Sequence, residues 1–256
     1  KGFFKGKNDF PSGSPVRQVL RTGEKAEIDH TPLDILVVDS EGNILGTPNF
    51  TAIIDCHSRM ILGFYLSLHP VNKGSVLKAL KHAILPKEYI KELYPDIKTP
   101  WNCMGKPTEI VSDNGLDLLA NSVKEAMYQL GVVYVQGPKK MPFLKGKVER
   151  FLKTLNYNFI HNRKGTTFAN YAQRGDYDSE RNACLTFEEL NYIVHLWIVD
   201  HYHLQEHGNL KDTPYNMWEK SAKSFSPPAM PDSLELLDYL IYAQEKRKLQ
   251  KYGLEI

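Results

Sequence analysis

Three β-rich runs crowded into the first quarter of the chain constrain its fold more than any other feature. Ala26–Val38 carries Ile28, Leu33, Ile35, Leu36, Val37 and Val38 and reads as a largely buried strand. Phe50–Asp55 and Met60–Leu68 follow, joined only by Cys56-His57-Ser58-Arg59, while Ser40-Glu41-Gly42-Asn43 turns the chain before them. Such spacing predicts an antiparallel meander. Beyond it the period changes. Ser75–Leu85 places Val76, Leu77, Leu80 and Ile84 at helical intervals, Glu109–Ser112 reads as a short strand, and Ser122–Leu130 as a helix closed by Gly131. Val132–Val135 is a further strand, and Val148–Ile160 a helix with Phe151, Leu152, Leu155 and Phe159 on one face. The order βββ-α-β-α-β-α predicts an α/β or α+β layered domain, its helices flanking a mixed five-stranded sheet.

Pro86–Pro107 has no sustained period and reads as an irregular insertion. Thr186–His203 opens with a Thr-Phe-Glu-Glu capping pattern and continues as a long amphipathic helix, followed by a short helix at Pro214–Ser221. These form a helical C-terminal extension. Residues 1–24 are expected to be a linker and 25–222 the core domain. Residues 223–256 are expected to be a second linker and the start of a further region of a longer protein. Of the 256 residues 42% are hydrophobic, enough for a sizeable core, whereas a formal net charge of +2 gives no bulk signal for a nucleic-acid partner. A DNA-binding surface therefore has to come from local clustering of Lys and Arg. Cys56, Cys103 and Cys184 make no CxxC pair, which disfavours a zinc site or disulfide framework and fits a reducing cytosol. No signal peptide or membrane-length apolar run is found.

Three carboxylates stand out against this background. Asp29 lies in the otherwise apolar Ala-Glu-Ile-Asp-His-Thr strand, where an acid is costly unless paired or metal-bound. Asp113 ends the strand Glu109–Ser112, directly before Asn114-Gly115, at the strand-end position favoured for catalytic groups in α/β folds. Glu149 sits near the start of the Val148–Ile160 helix, within Gly146-Lys147-Val148-Glu149-Arg150. Each has a bland reading alone: Asp113 as a turn residue, Glu149 as a partner of the helix dipole. Together they could hold a pair of hard cations. Such a pair, about 3.5–4 Å apart, activates one oxygen and stabilises another in phosphodiester chemistry.

In order and spacing the three motifs closely resemble the DDE transposase and retroviral integrase superfamily. Asp29 falls in Ile28-Asp29-His30-Thr31, Asp113 in Ser112-Asp113-Asn114-Gly115, and 35 residues separate Asp113 from Glu149. Further strings are similar to TnsB and TniA transposases, relatives of the phage Mu transposase. They are Asp29-His30-Thr31-Pro32-Leu33-Asp34, Ile54-Asp55-Cys56-His57-Ser58-Arg59, Ala83-Ile84-Leu85-Pro86 and Trp101-Asn102-Cys103-Met104-Gly105-Lys106-Pro107. The resemblance runs from about Ala26 to Lys220. It implies an RNase H-like fold and two Mg²⁺ or Mn²⁺ ions on Asp29, Asp113 and Glu149. The implied reactions are cleavage at transposon 3′ ends and transfer of the freed 3′-hydroxyl to target DNA. It also implies self-oligomers on DNA, a partner endonuclease and an AAA+ ATPase, and a cytoplasmic place in the bacterial cytosol or nucleoid. Two rivals remain open: a catalytically silent RNase H-like DNA-binding or assembly module, and an RNase H-like nuclease without strand transfer.

Other charged residues have roles outside the triad. Asp39 and Asp55 are expected to be turn formers, and Asp34 to face away from Asp29. Lys139, Lys140, Lys145, Lys147 and Arg150 surround Glu149 and are expected to meet DNA phosphates, the alternative being a solvated loop. His195, His201, His203 and His207 are expected on a partly exposed helix face. His203 and His207 have zinc-compatible spacing, but no further ligands complete a motif.

Overall fold

A computed structural model describes residues 18–112, 120–136, 146–169, 177–208 and 210–242. Five strands make one sheet in the order β5-β4-β1-β6-β7: β1 (Lys25–Pro32), β4 (Asn49–Asp55), β5 (Ile61–Ser67), β6 (Glu109–Ser112) and β7 (Val133–Gln136). β1, β4 and β5 pair antiparallel, while β6 and β7 run parallel to β1. Close turns allow the first arrangement and helical crossovers the second. This mixed sheet with flanking helices is the RNase H-like fold.

The first strand is shorter than its apolar run suggests. β1 stops at Pro32, and only Val37–Val38 resumes as β2, paired with β3 (Ile44–Gly46) in a separate two-stranded ribbon. Leu33, Ile35 and Val37 are nonetheless fully buried. They reach the core from an irregular segment whose backbone is tied to distant chain, with Leu36 N donating to Gly165 O and Thr167 N to Asp34 O. The β4–β5 turn is organised by Asp55, which accepts from Ser58 N, Ser58 Oγ (both 2.7 Å), His57 N (3.1 Å) and Gly23 N (2.8 Å). Asp39 likewise gathers Glu41 N and Asn43 N into its turn. Both acids are structural, as their positions predict.

Helix α1 (Lys73–Ile84) starts at a capping box of Asn72 and Ser75 and packs on β5. Their contact requires Gly63, since a Cβ there would lie 2.4 Å from Ala83 N. The insertion contains one short helix, α2 (Ile90–Leu93), and α3 (Ala120–Gln129) links β6 to β7. Helix α4 (Gly146–Thr154) continues through a π-turn (Leu155–Phe159) and a 3₁₀ turn (Ile160–Asn162). Then come α5 (Phe187–Leu196), capped by Thr186 and Glu189 as the Thr-Phe-Glu-Glu pattern predicts, α6 (Pro214–Ser224) and α7 (Leu234–Tyr242). α7 closes on α1, with Lys81 paired to Asp238. No helix among the described residues is long and apolar enough to cross a membrane. Cys56, Cys103 and Cys184 are all free thiols.

The late histidines correct an expectation. His195 and His203 are buried, not on an exposed face. His203 Nε2 accepts from Ile61 N at 3.1 Å, so that ring is committed to the backbone of β5 rather than to zinc with His207.

Candidate active site

β1 is the middle strand of the sheet, and its alternation puts Glu27 and Asp29 on one face. α4 packs against β1 and β4, burying Val148, Phe151 and Leu152, with Leu155 continuing the apolar stripe into the π-turn. Phe151 lies 6.3 Å from Phe50 of β4, ring centre to ring centre. The helix is fixed along β1 at two points. At its start, Glu27 Oε2 accepts from Lys147 N (2.9 Å) and Val148 N (3.0 Å). Further on, Asn156 donates through Nδ2 to Pro32 O (3.2 Å) and accepts from Asp34 N (3.1 Å). Glu149 lies between these clamps on the helix, as Asp29 lies between them on the strand.

Glu27 is the residue that sequence reasoning missed. It is fully buried, and its Oε1 meets Lys147 Nζ (3.2 Å) and Cys56 Sγ (3.4 Å). Burial pushes its carboxyl up, opposed by the Val148 N–H, the Cys56 thiol and the charges of Arg59 and Lys25. The available signal was an acid in an apolar strand two residues before Asp29. Its partners lie 120 residues away, and no local pattern names them.

Asp29 is half-buried, and its Oδ1 accepts from His30 N at 2.9 Å. Glu149 is partly exposed and pairs with Lys153 one turn on, at 3.0 Å. Asp113 lies outside the described residues. It follows Val111, the register partner of Glu27, by two positions, just as Asp29 follows Glu27. Among the described residues no three His, Cys, Asp or Glu side chains form a metal-holding group. Asp29 and Glu149 are the described members of the expected triad, and carboxylate oxygens suit a hard divalent cation. Asp34, the rival acid, lies beyond the end of β1 with its Oδ2 2.8 Å from His161 Nε2.

Of the expected DNA-contacting residues, Lys139, Lys140 and Lys145 lie outside the described residues. Lys147 spends its ammonium on Glu27, whereas Arg150 is exposed. Both line a cleft of about 400 Å³ with Arg59, Phe151, Tyr202 and His207. At about 100° per residue, Glu149 points about 100–160° around α4 from Lys147, Arg150 and Thr154. Those three residues line the cleft with Arg59, which sits in the β4–β5 turn, and Glu149 is not among its lining residues.

Residues 27–165 match the family described as the TnsB C-terminal domain. The chain is 31% identical over 241 residues to the transposase for transposon Tn552 of Staphylococcus aureus, a match covering 93% of this chain and 46% of that one. It is 29% identical over 189 residues to the transposon Tn7 transposition protein TnsB of Escherichia coli, covering 72% of this chain and 27% of that protein. The chain therefore spans less than half the length of the curated relatives it matches. A simian T-cell lymphotropic virus intasome, solved in complex with the PP2A regulatory subunit B56 gamma, superposes with a TM-score of 0.48. It has 17% identity, over 86% of this chain and 61% of that one.

Proposed function

This chain belongs to the TnsB C-terminal domain family, within the DDE transposases and retroviral integrases, and from that premise we propose that it is the catalytic core of a DNA transposase. Asp29, Asp113 and Glu149 are the proposed catalytic and metal-holding residues. The observation that supports this most is the double clamp of α4 along β1, with Glu149 between the clamped positions on the helix and Asp29 between them on the strand. When bound, two Mg²⁺ or Mn²⁺ ions supply Lewis acidity to an attacking and a leaving oxygen. Asp29 offers its carboxylate from a rigid central strand. Glu149 offers its own from a helix held at both ends, so neither needs large reorganisation. In the first step water attacks phosphorus at the transposon 3′ end and the 3′-oxygen leaves as a hydroxyl. In the second that hydroxyl attacks a target phosphodiester, displacing a target 3′-oxygen. One site serves both, because nucleophile and leaving group are oxygen each time.

The proposed partners are transposon-end DNA, target DNA and further copies of the protein, together with a separate endonuclease and an AAA+ ATPase. The proposed setting is the bacterial cytosol or nucleoid. We also propose that residues 25–222 act as the core unit, between a leading linker and the start of a further region.

The test is joining of a pre-cleaved transposon end to a plasmid by the full-length protein. Joined product is expected with Mg²⁺ or Mn²⁺ and none after chelation. Joining that persists in chelator would defeat the metal reading. Nicking without joining would favour a nuclease, and DNA binding with neither would favour a silent assembly module.

Lys139, Lys140, Lys145 and Arg150 are proposed to meet DNA phosphates, with Lys147 contributing what its pairing to Glu27 leaves free. Each phosphate contact removed should lower the slope of log affinity against log salt by about 0.9 on duplex DNA. The triple change Lys139→Ala, Lys140→Ala, Lys145→Ala should therefore flatten the slope by about 2–3 and weaken binding to all sequences alike. An unchanged slope would return these lysines to a solvated loop.

A further inference from the structure

We propose that Glu27 is a positioning residue for the active site, setting the rotation and height of α4 so that Glu149 meets Asp29 and Asp113. The inference rests on the catalytic reading above and assigns a role to a residue outside the triad.

A carboxylate withdrawn from water is costly unless it is hydrogen-bonded and paired, and Gln or an apolar residue would fill a strand interior more cheaply. Glu27 is fully buried all the same, and its four contacts have a pattern. Oε2 takes two successive backbone N–H groups, those of Lys147 and Val148, in the first turn of α4. Oε1 takes the Lys147 ammonium and the Cys56 thiol. The first-turn N–H groups of a helix have no partner within the helix and carry partial positive charge. An anion seated on them fixes where the helix begins.

Glu149 is the residue after Val148. An error in the helix setting reaches it with almost no chain in between to absorb it. A side-chain tip about 6 Å from a helix axis moves by about 1 Å for a rotation of about 10°. The buried stripe of Val148, Phe151 and Leu152 resists gross movement, yet apolar contacts are non-directional and tolerate small rotations. Two directional hydrogen bonds to a single oxygen do not. Asn156 performs the matching task eight residues on, so the helix is tied at both ends of the segment that passes Asp29.

The experiment compares Glu27→Gln and Glu27→Ala with wild type in the full-length protein, with Glu149→Gln as internal control. It measures joining rate, end-DNA affinity, the Mg²⁺ concentration for half-maximal joining, and melting temperature. A misplacement of about 1 Å near the chemistry costs on the order of 10²-fold. Glu27→Ala should lose about that much in rate, with end-DNA affinity changed less than about twofold and a raised Mg²⁺ requirement. Glu27→Gln keeps one accepting oxygen and should fall between wild type and Glu27→Ala; the Mg²⁺ shift and this graded rescue are effects that loss of packing alone would not produce. If Glu149→Gln abolishes joining but both folded Glu27 variants join at the wild-type rate and Mg²⁺ requirement, positioning is overturned while the catalytic reading stands. If Glu149→Gln joins normally, the catalytic reading itself fails. Failure of both Glu27 variants to fold would also overturn the proposal, leaving Glu27 as a core residue only.

Discussion

Replacing Asp29 with Asn is expected to lower the rate of 3′-end joining by about 10³-fold or more, with folding and end-DNA affinity little changed; Glu149→Gln should do the same. A metal ion stabilises transition-state charge by several kcal/mol, and losing about 4 kcal/mol of that slows a reaction about 10³-fold. Both substitutions are close to isosteric. In Asp29→Asn the new amide oxygen can still accept from His30 N, as the carboxylate does. Glu149 gives up an exposed pair with Lys153, worth about 0.3–0.5 kcal/mol at most. Neither side chain belongs to the core. An activity loss without a stability loss therefore isolates the chemistry.

Asp34→Asn is the matched control. Asp34 is as close to the end of β1 as any rival acid, but it is engaged by His161 and lies beyond the strand. Its loss should show as a modest fall in stability of about 1 kcal/mol, with joining retained. Joining by Asp29→Asn or Glu149→Gln within about tenfold of wild type, at unchanged end-DNA affinity, would remove that residue from the site. A collapse of joining in folded Asp34→Asn would place a fourth acid in it.

The element order was legible because it is written in local periods: alternation and apolar runs for strands, the three-to-four spacing for α1, α4 and α5. Cap chemistry at Thr186 was legible for the same reason, since the box spans four residues. What depends on distant partners was not. The run from Leu33 to Val38 is as apolar as a strand, yet its backbone bonds go to Gly165, Leu185 and Thr167, a destination that hydrophobicity does not encode. The π-turns after α4 (Leu155–Phe159) and after α5 (Trp197–His201) each insert a residue into a pattern that reads as plain helix, re-aiming everything after them. Glu27 was hidden differently. Its neighbour Asp29 drew the chemical reading, and the reason for a buried acid at position 27 lies in the backbone of a helix 120 residues later.

The buried histidines carry the last prediction: lowering the pH from 7 to 5 should cost this fold roughly 2 kcal/mol through each of three rings, offset in part by Glu27 and Asp55, whose carboxyls burial pushes up. His82 and His195 share one hydroxyl, with Tyr89 Oη 2.7 Å from His82 Nε2 and 3.0 Å from His195 Nε2. One hydroxyl proton serves one of the two rings: Tyr89 donates to His195 Nε2, whose Nδ1–H donates to Asn191 O at 2.8 Å. His82 donates from Nε2 to Tyr89 Oη and its Nδ1 accepts from Phe64 N at 3.1 Å, so both rings are bonded in their neutral form. His203 accepts from Ile61 N. Burial holds His195 down to about 4 and His203 to about 3, and drives His82 well below its ordinary value. The Lys87 ammonium adds repulsion to His82 and His203. It is buried against Ala83 O and Cys103 O, and its own value, lowered to about 8, leaves it charged throughout this range. The unfolded chain takes up a proton on each histidine near pH 6.5, and the native rings do so only far lower. Between those limits the unfolded state binds more protons, so stability is intact above about pH 7 and falls as pH drops. Each ring contributes up to about 1.4 kcal/mol per pH unit, hence roughly 2 kcal/mol between pH 7 and 5. Three such terms are a large share of a typical stability of about 5–15 kcal/mol. Urea unfolding at a series of pH values measures the slope, and histidine ring NMR measures the midpoints. Native ring midpoints near 6.5 would mean that these rings admit protons and water, and the packed cluster of α1, α5 and β5 would have to be redrawn.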